Sequence, residues 1–172
     1  AEAGLDSVVC ANAPLLQLDG FSPLLGVQWF STDPVANAAV VSAGSGVLAP
    51  SSLSPGSYVF SVEYGAGTCY SRDSLSVTVL GLPELELGAP DAWCGYEGEE
   101  VVAPALPEGG TWFGQGILDA ATGAFDTGQL AADYAPGYTF TDPVTGCADT
   151  AFHQVTLHPV PEAAFTADAL GC

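Results

Sequence analysis

Residues 70–94 (YSRDSLSVTVLGLPELELGAPDAWC) and 148–172 (ADTAFHQVTLHPVPEAAFTADALGC) superimpose without a gap, and both end in cysteine. Val77-Thr78-Val79 falls on Val155-Thr156-Leu157, and Pro83-Glu84 falls on Pro161-Glu162. Each copy reads as a closing strand, a short proline-containing joint and the opening strand of a new unit. Such a chain is a tandem repeat cut out of register. The predicted boundaries are repeat 1 over 1–82, repeat 2 over 83–160, and the first strand of a following repeat over 161–172. Repeats of roughly 80 residues can each close a small core.

Periodicity sets the fold class. In 73–80, Leu75, Val77 and Val79 alternate with Ser74, Ser76 and Thr78, the mark of a half-buried strand. Residues 1–9 read as the end of a joint plus a first strand, further strands are expected over 13–18, 27–31, 39–42 and 57–64, and another begins at 46–48. In repeat 2 the expected strands are 101–106, 111–114 and 138–141. Loops are expected over 19–25 and from Asp33-Pro34. Trp112-Phe113 sits where Trp29-Phe30 sits, Phe125 to Leu130 parallels Leu48 to Leu53, and Pro136-Gly137 before Tyr138 parallels Pro55-Gly56 before Tyr58. No window carries a capped 3.6-residue apolar period, so no substantial helix is expected. The prediction is all-β: tandem immunoglobulin-like antiparallel β-sandwiches.

Five cysteines stand at 10, 69, 94, 147 and 172, none in the close pairs that zinc or dithiol redox sites use. One early and one late cysteine per repeat predicts one disulfide per unit, Cys10–Cys69 and Cys94–Cys147, each adding about 4 kcal/mol on a chain-entropy model. Cys172, placed like Cys10 and Cys94, is expected to find its partner in the next repeat. Disulfides imply an oxidising, extracellular or cell-surface setting.

Arg72 is the single basic residue against 20 acids, for a formal charge of −19. Such a surface repels nucleic acid and anionic membrane, so neither is an expected partner. No apolar run approaches the ~20 residues of a membrane span, and no leader segment is recognisable, so a mature protein or an interior fragment without membrane insertion is expected. No Asp-x-Asp-x-Asp-Gly loop occurs, so no cofactor or metal site is expected beyond weak Ca2+ binding.

Catalysis finds no motif: no nucleophile elbow, phosphate loop or His-Glu-x-x-His is present. His153 falls on the apolar face where Leu75 sits in repeat 1 and reads as a packed imidazole, while His158 sits at the joint and reads as exposed. The chain is predicted not to be an enzyme. Neighbouring residues on a strand face opposite ways, so of Trp29 and Phe30, and of Trp112 and Phe113, one faces the core and the other becomes a candidate contact between units, chains or surface glycans.

The run 100–155, with Gly109-Gly110-Thr111-Trp112, Gly123-Ala124-Phe125, Pro136-Gly137-Tyr138-Thr139-Phe140-Thr141 and Gly146-Cys147-Ala148-Asp149-Thr150, resembles one Ig-like repeat of very large secreted bacterial surface proteins. These are the adhesins of gliding bacteria and related proteins exported by the type 9 route. Residues 161–165 (PEAAF) resemble the opening of a PKD-like repeat. Repeat 1 departs from the pattern in its longer 31–45 loop and in lacking Gly-Cys before its last strand. The resemblance implies a stiff extracellular filament or adhesin whose partners are further repeats or identical chains. The rival is a spacer or carbohydrate-binding module of a secreted hydrolase. Asp6-Ser7-Val8, Asp73-Ser74-Leu75 and Asp149-Thr150-Ala151 resemble the O-glycosylation motif of these bacteria, which marks Ser7, Ser74 and Thr150. The joints Gly81-Leu82-Pro83 and Pro159-Val160-Pro161 are short and proline-restricted, with Leu82 and Val160 expected to tuck in between units.

Overall fold

The computed structural model describes residues 1–18, 26–66, 69–95 and 98–162. Two compact units result: Ala1–Pro83 with Asp142–Cys147, and Glu84–Thr141 with Ala148–Cys172. The expected loop over 19–25 and most of the expected strand 161–172, Cys172 included, lie outside the described residues.

The first unit contains β1 (Ser7–Cys10), β2 (Leu16–Gln17), β3 (Val27–Phe30), α1 (Pro34–Ala38), β4 (Val40–Ser42), β5 (Val47–Leu48), β6 (Gly56–Ala66) and β7 (Cys69–Leu80). One sheet has the order β1-β7-β6-β3 and the other β2-β5-β4. β1 runs parallel to β7, and the remaining pairs are antiparallel. The alternation seen in the sequence orients β7: Leu75, Val77 and Val79 are buried, while Ser74 is exposed. They join Trp29, Phe60 and Val62 of the same sheet and Leu48 of the facing sheet in one core. Each such fully buried Val, Leu or Phe contributes roughly 1.5–3 kcal/mol. The helix α1 was expected to be loop. Asp33 makes it, its Oδ1 accepting the amides of Val35 at 2.8 Å and Ala36 at 3.1 Å, with Pro34 opening the turn.

The second unit contains β8 (Glu86–Leu87), β9 (Asp91–Cys94), β10 (Glu99–Val101), β11 (Ala105–Leu106), β12 (Thr111–Phe113), β13 (Ile117–Asp119), β14 (Ala124–Asp126), β15 (Asp133–Tyr134), β16 (Gly137–Thr141), β17 (Ala148–Phe152) and β18 (Val155–His158). Its sheets are β15-β18-β9, β12-β16-β17, β10-β14-β13 and the pair β11-β8. Again the first strand of the sheet, β9, runs parallel to the last, β18. Both units are immunoglobulin-like β-sandwiches. Where the first unit has continuous β6 and β7, the second has β15 with β16 and β17 with β18. Pro136 causes the break, since it has no N–H for the ladder; its carbonyl instead accepts the His153 amide at 2.8 Å. The expected strand 101–106 is likewise interrupted, by Ala103-Pro104 between β10 and β11.

Register corrects one sequence equivalence. Tyr58 lies opposite Val77 and Tyr134 opposite Val155, so Tyr134, not Tyr138, is the counterpart of Tyr58. Each hydroxyl donates to a carbonyl four residues earlier: Tyr58 to Ser54 at 2.9 Å, Tyr134 to Leu130 at 2.7 Å. Tyr138 lies opposite Ala151 as Val62 lies opposite Asp73, and is buried like Val62. The Phe125–Leu48 parallel holds, both being fully buried, but Leu130 is 85% exposed where Leu53 is 5%.

Candidate functional site: the cysteine-bearing strand ends

β7 carries Cys69 at its start, and its last residue, Leu80, lies beside Cys10 of the parallel β1. Eleven strand residues separate the two ends, on the order of 36 Å, whereas bonded cysteines need Cα atoms within ~7 Å. The second unit has the same register: His158 lies beside Cys94 and follows Cys147 by eleven residues. The expected Cys10–Cys69 and Cys94–Cys147 bonds are therefore replaced. Among the described residues the one disulfide is Cys10–Cys147, with Cα atoms 5.6 Å apart and a sequence separation of 137. Cys69 and Cys94 are free and exposed.

The turn that carries Cys147 is internally braced. Asp142 Oδ1 accepts the Val144 amide at 2.8 Å, its Oδ2 accepts the Thr145 hydroxyl at 2.9 Å, and Gly146 N–H donates to the Asp142 carbonyl at 2.8 Å. The Val144 amide, then the Thr145 hydroxyl, hold the Asp142 carboxyl below its ordinary range. Gly146 turns the chain at φ +73°, a conformation glycine adopts without strain.

Trp29 and Trp112 are buried at equivalent positions, opposite Val62 and Tyr138, so they are core residues rather than contact aromatics. Phe30 and Phe113 face outward. The Arg72 guanidinium lies 5.0 Å from the Phe30 ring centroid and pairs across the strands with Glu63, Nε to Oε1 at 2.9 Å and Nη2 closer still. Phe113 is 41% exposed and meets the 66%-exposed Phe152 edge-on at 6.1 Å. A cleft of about 420 Å³ in the second unit is lined by Val101, Pro104, Glu108, Gly109, Thr122 and Tyr138. Its tyrosine hydroxyl is already engaged, donating to Pro107 O at 2.6 Å and accepting the Gly110 amide at 2.7 Å.

His153 is the packed imidazole expected at the Leu75 position. It is 3% exposed, its Nε2 lies 2.9 Å from Asp91 Oδ2, and its ring stands edge-on to Trp112. Asp91 also accepts the Ala103 amide at 2.8 Å, a partnership that the sequence did not signal. His158 is exposed. Ser74 and Thr150 are both exposed on the closing strands, two positions out of register with each other, and each follows an Asp whose Oδ1 accepts its amide at 2.8 Å. Ser7 is half-buried. The Ala3 amide, then that of Ser74, hold the Asp73 carboxyl low, and the Thr122 and Ala121 amides do the same for Asp119. In the joints Leu82 is half-buried while Val160 is 58% exposed. Among the described residues no group of three acid, His or Cys side chains converges on a metal position, and no helix is long and apolar enough to cross a membrane.

No protein-family profile and no curated protein matches the chain. Solved structures of multi-domain fragments are similar to the chain. Drosophila N-cadherin EC1-3 aligns at 13% identity and TM-score 0.35, over 90% of this chain and 65% of that one. Drosophila OTK extracellular domains 3-5 align at 12% and 0.36, over 91% and 60%. Titin domains z1z2, solved in complex with telethonin, align at 13% and 0.34, over 93% and 95%. The chain spans less than two thirds of the N-cadherin and OTK fragments. At TM-scores below 0.5 the likeness carries no weight beyond its report, and the Ig-like class follows from strand pairing in the chain itself.

Proposed function

We propose that this chain is a non-enzymatic structural segment of a long extracellular filament or cell-surface adhesin, built as a stiff rod of Ig-like repeats. The observation that carries this reading is the shared register of the two units: Trp29 and Trp112, Tyr58 and Tyr134, Leu75 and His153 fill the same places on the same strands. A chain that reproduces one scaffold has selected a spacing element rather than one pocket. The bacterial surface-protein resemblance supports the setting, and further repeats or identical chains are its natural partners. The carbohydrate-binding alternative is less favoured because the tryptophans of the two Trp-Phe pairs, Trp29 and Trp112, are buried in the cores. O-linked glycans on Ser74 and Thr150 belong to the same reading.

Small-angle scattering of the chain in 0.15 M salt tests the rod: one narrow, elongated distance distribution is expected. A compact pair, or a broad range of inter-unit distances, would contradict it. Binding above background on a glycan array would favour the alternative.

A further inference from the structure

The free thiols Cys69 and Cys94 occupy the two halves of a bond the chain already makes once. By strand register Cys69 is the counterpart of Cys147: Cys69 opens β7 and Cys147 immediately precedes β17, each eleven residues before the residue that lies beside the early cysteine. By the same register Cys94 is the counterpart of Cys10, the one beside His158, the other beside Leu80. Cys10 and Cys147 are bonded, and Cys147 is fully buried in that state. Cys69 and Cys94 are exposed.

Cys69 lines a shallow cleft, and Gly95, the neighbour of Cys94, lines another. Beside Cys69 are Tyr64 and Tyr70, 38% and 73% exposed, which line a shallow cleft with it. Beside Cys94, whose neighbour Gly95 donates to the His158 carbonyl at 2.7 Å, a second cleft is lined by Leu130 and Val160, 85% and 58% exposed.

We infer that Cys69 and Cys94 are complementary halves of a disulfide that joins copies of this chain head to tail, repeating between chains the Cys10–Cys147 bond made within one. The step is thiol–disulfide exchange with a small-molecule disulfide as oxidant. The Cys94 thiolate attacks one sulfur of the oxidant, forming a mixed disulfide and releasing one thiol. The Cys69 thiolate of the next copy then displaces the second, so two protein thiols are oxidised as one disulfide is reduced to two thiols. A contact of this kind is heterologous, so each copy can bond one copy through Cys69 and another through Cys94. The inference rests on the filament reading for its purpose, but its chemistry is tested separately.

The test uses the full chain with Cys172→Ser, so that Cys69 and Cys94 are the thiols left beside the Cys10–Cys147 bond. One protein carries Cys69→Ser and a second, isotope-labelled one carries Cys94→Ser. They are equilibrated with a glutathione redox buffer in 0.15 M salt, and unchanged near-UV circular dichroism confirms that both remain folded. The expected product is the mixed dimer joined Cys94 to Cys69, in at least fivefold excess over both homodimers, while the protein retaining both thiols gives a reducible ladder. Mixed dimers and homodimers in the random 2:1:1 ratio, or glutathione adducts alone, would overturn the inference. If that happened while scattering still gave an elongated chain, the filament reading would stand without covalent chaining. A ladder from a compact particle would mean the reverse.

Discussion

Gly123→Ala isolates how tightly the second core is built around its tryptophan. Gly123 has φ +74°, and a Cβ placed there would lie 2.9 Å from Trp112 Nε1 and 2.6 Å from Val102 Cγ2, both in 3–4% exposed residues. Gly109 has a similar backbone, φ +91°, but nothing within 4 Å of its Cβ position. Gly109→Ala therefore carries only the left-handed backbone term, about 1 kcal/mol. Gly123→Ala carries that term plus the overpacking of a buried indole, a further ~1–3 kcal/mol. With a urea slope of about 1 kcal/mol/M for a unit of this size, the midpoint should fall by about 1 M for Gly109→Ala and by 2–4 M for Gly123→Ala. Urea titration followed by tryptophan fluorescence reads both. Equal shifts for the two variants would refute the packing argument and leave only backbone strain. Gly46→Ala should behave like Gly123→Ala in the first unit, since its Cβ would lie 2.7 Å from Trp29 Nε1 at φ +70°.

Tyr134→Phe and Tyr58→Phe each remove a hydroxyl donor to a carbonyl four residues back, and each should lower stability by about 1 kcal/mol in thermal melts, whereas assigning Tyr138 to that role predicts no loss at Tyr134. Asp91→Ala should lower stability by about 1–3 kcal/mol, because it strands the buried His153 Nε2 and the Ala103 amide. His153→Leu, which installs the residue of the equivalent position in repeat 1, should change stability by less than about 1.5 kcal/mol. Asp73 is held below its ordinary pKa by amides, so its contribution is present above the unfolded-state value near 3.8 and vanishes as pH falls through the lower folded value. The stability gap between the wild type and Asp73→Asn should accordingly be open at pH 7 and closed in strong acid, as read by urea titration at each pH.

Local pattern was legible where it is fixed by one strand. The alternation in 73–80, the Trp at 29 and 112, and the buried imidazole at 153 all follow from a period of two against an apolar face. Cysteine pairing was not legible, because spacing along a chain does not say which end of a strand a residue occupies. An early and a late cysteine look like natural partners until β1 is seen to run parallel to β7, which puts them at opposite ends. The Tyr58 equivalence slipped by four residues for a related reason. Both Pro55-Gly56 and Pro136-Gly137 look like turns, yet Pro136 interrupts a strand that Pro55 merely precedes. Asp91 gave no signal because its partners, His153 and Ala103, lie 62 and 12 residues away.

The cysteine connectivity tests the account most directly, since the unit register and the proposed chaining both hang on it. Peptide mapping of the oxidised chain without reduction, after alkylation of free thiols, should recover Cys10 linked to Cys147, with Cys69 and Cys94 either alkylated or linked to each other between chains. Recovery of Cys10 linked to Cys69, or of Cys94 linked to Cys147, would contradict it.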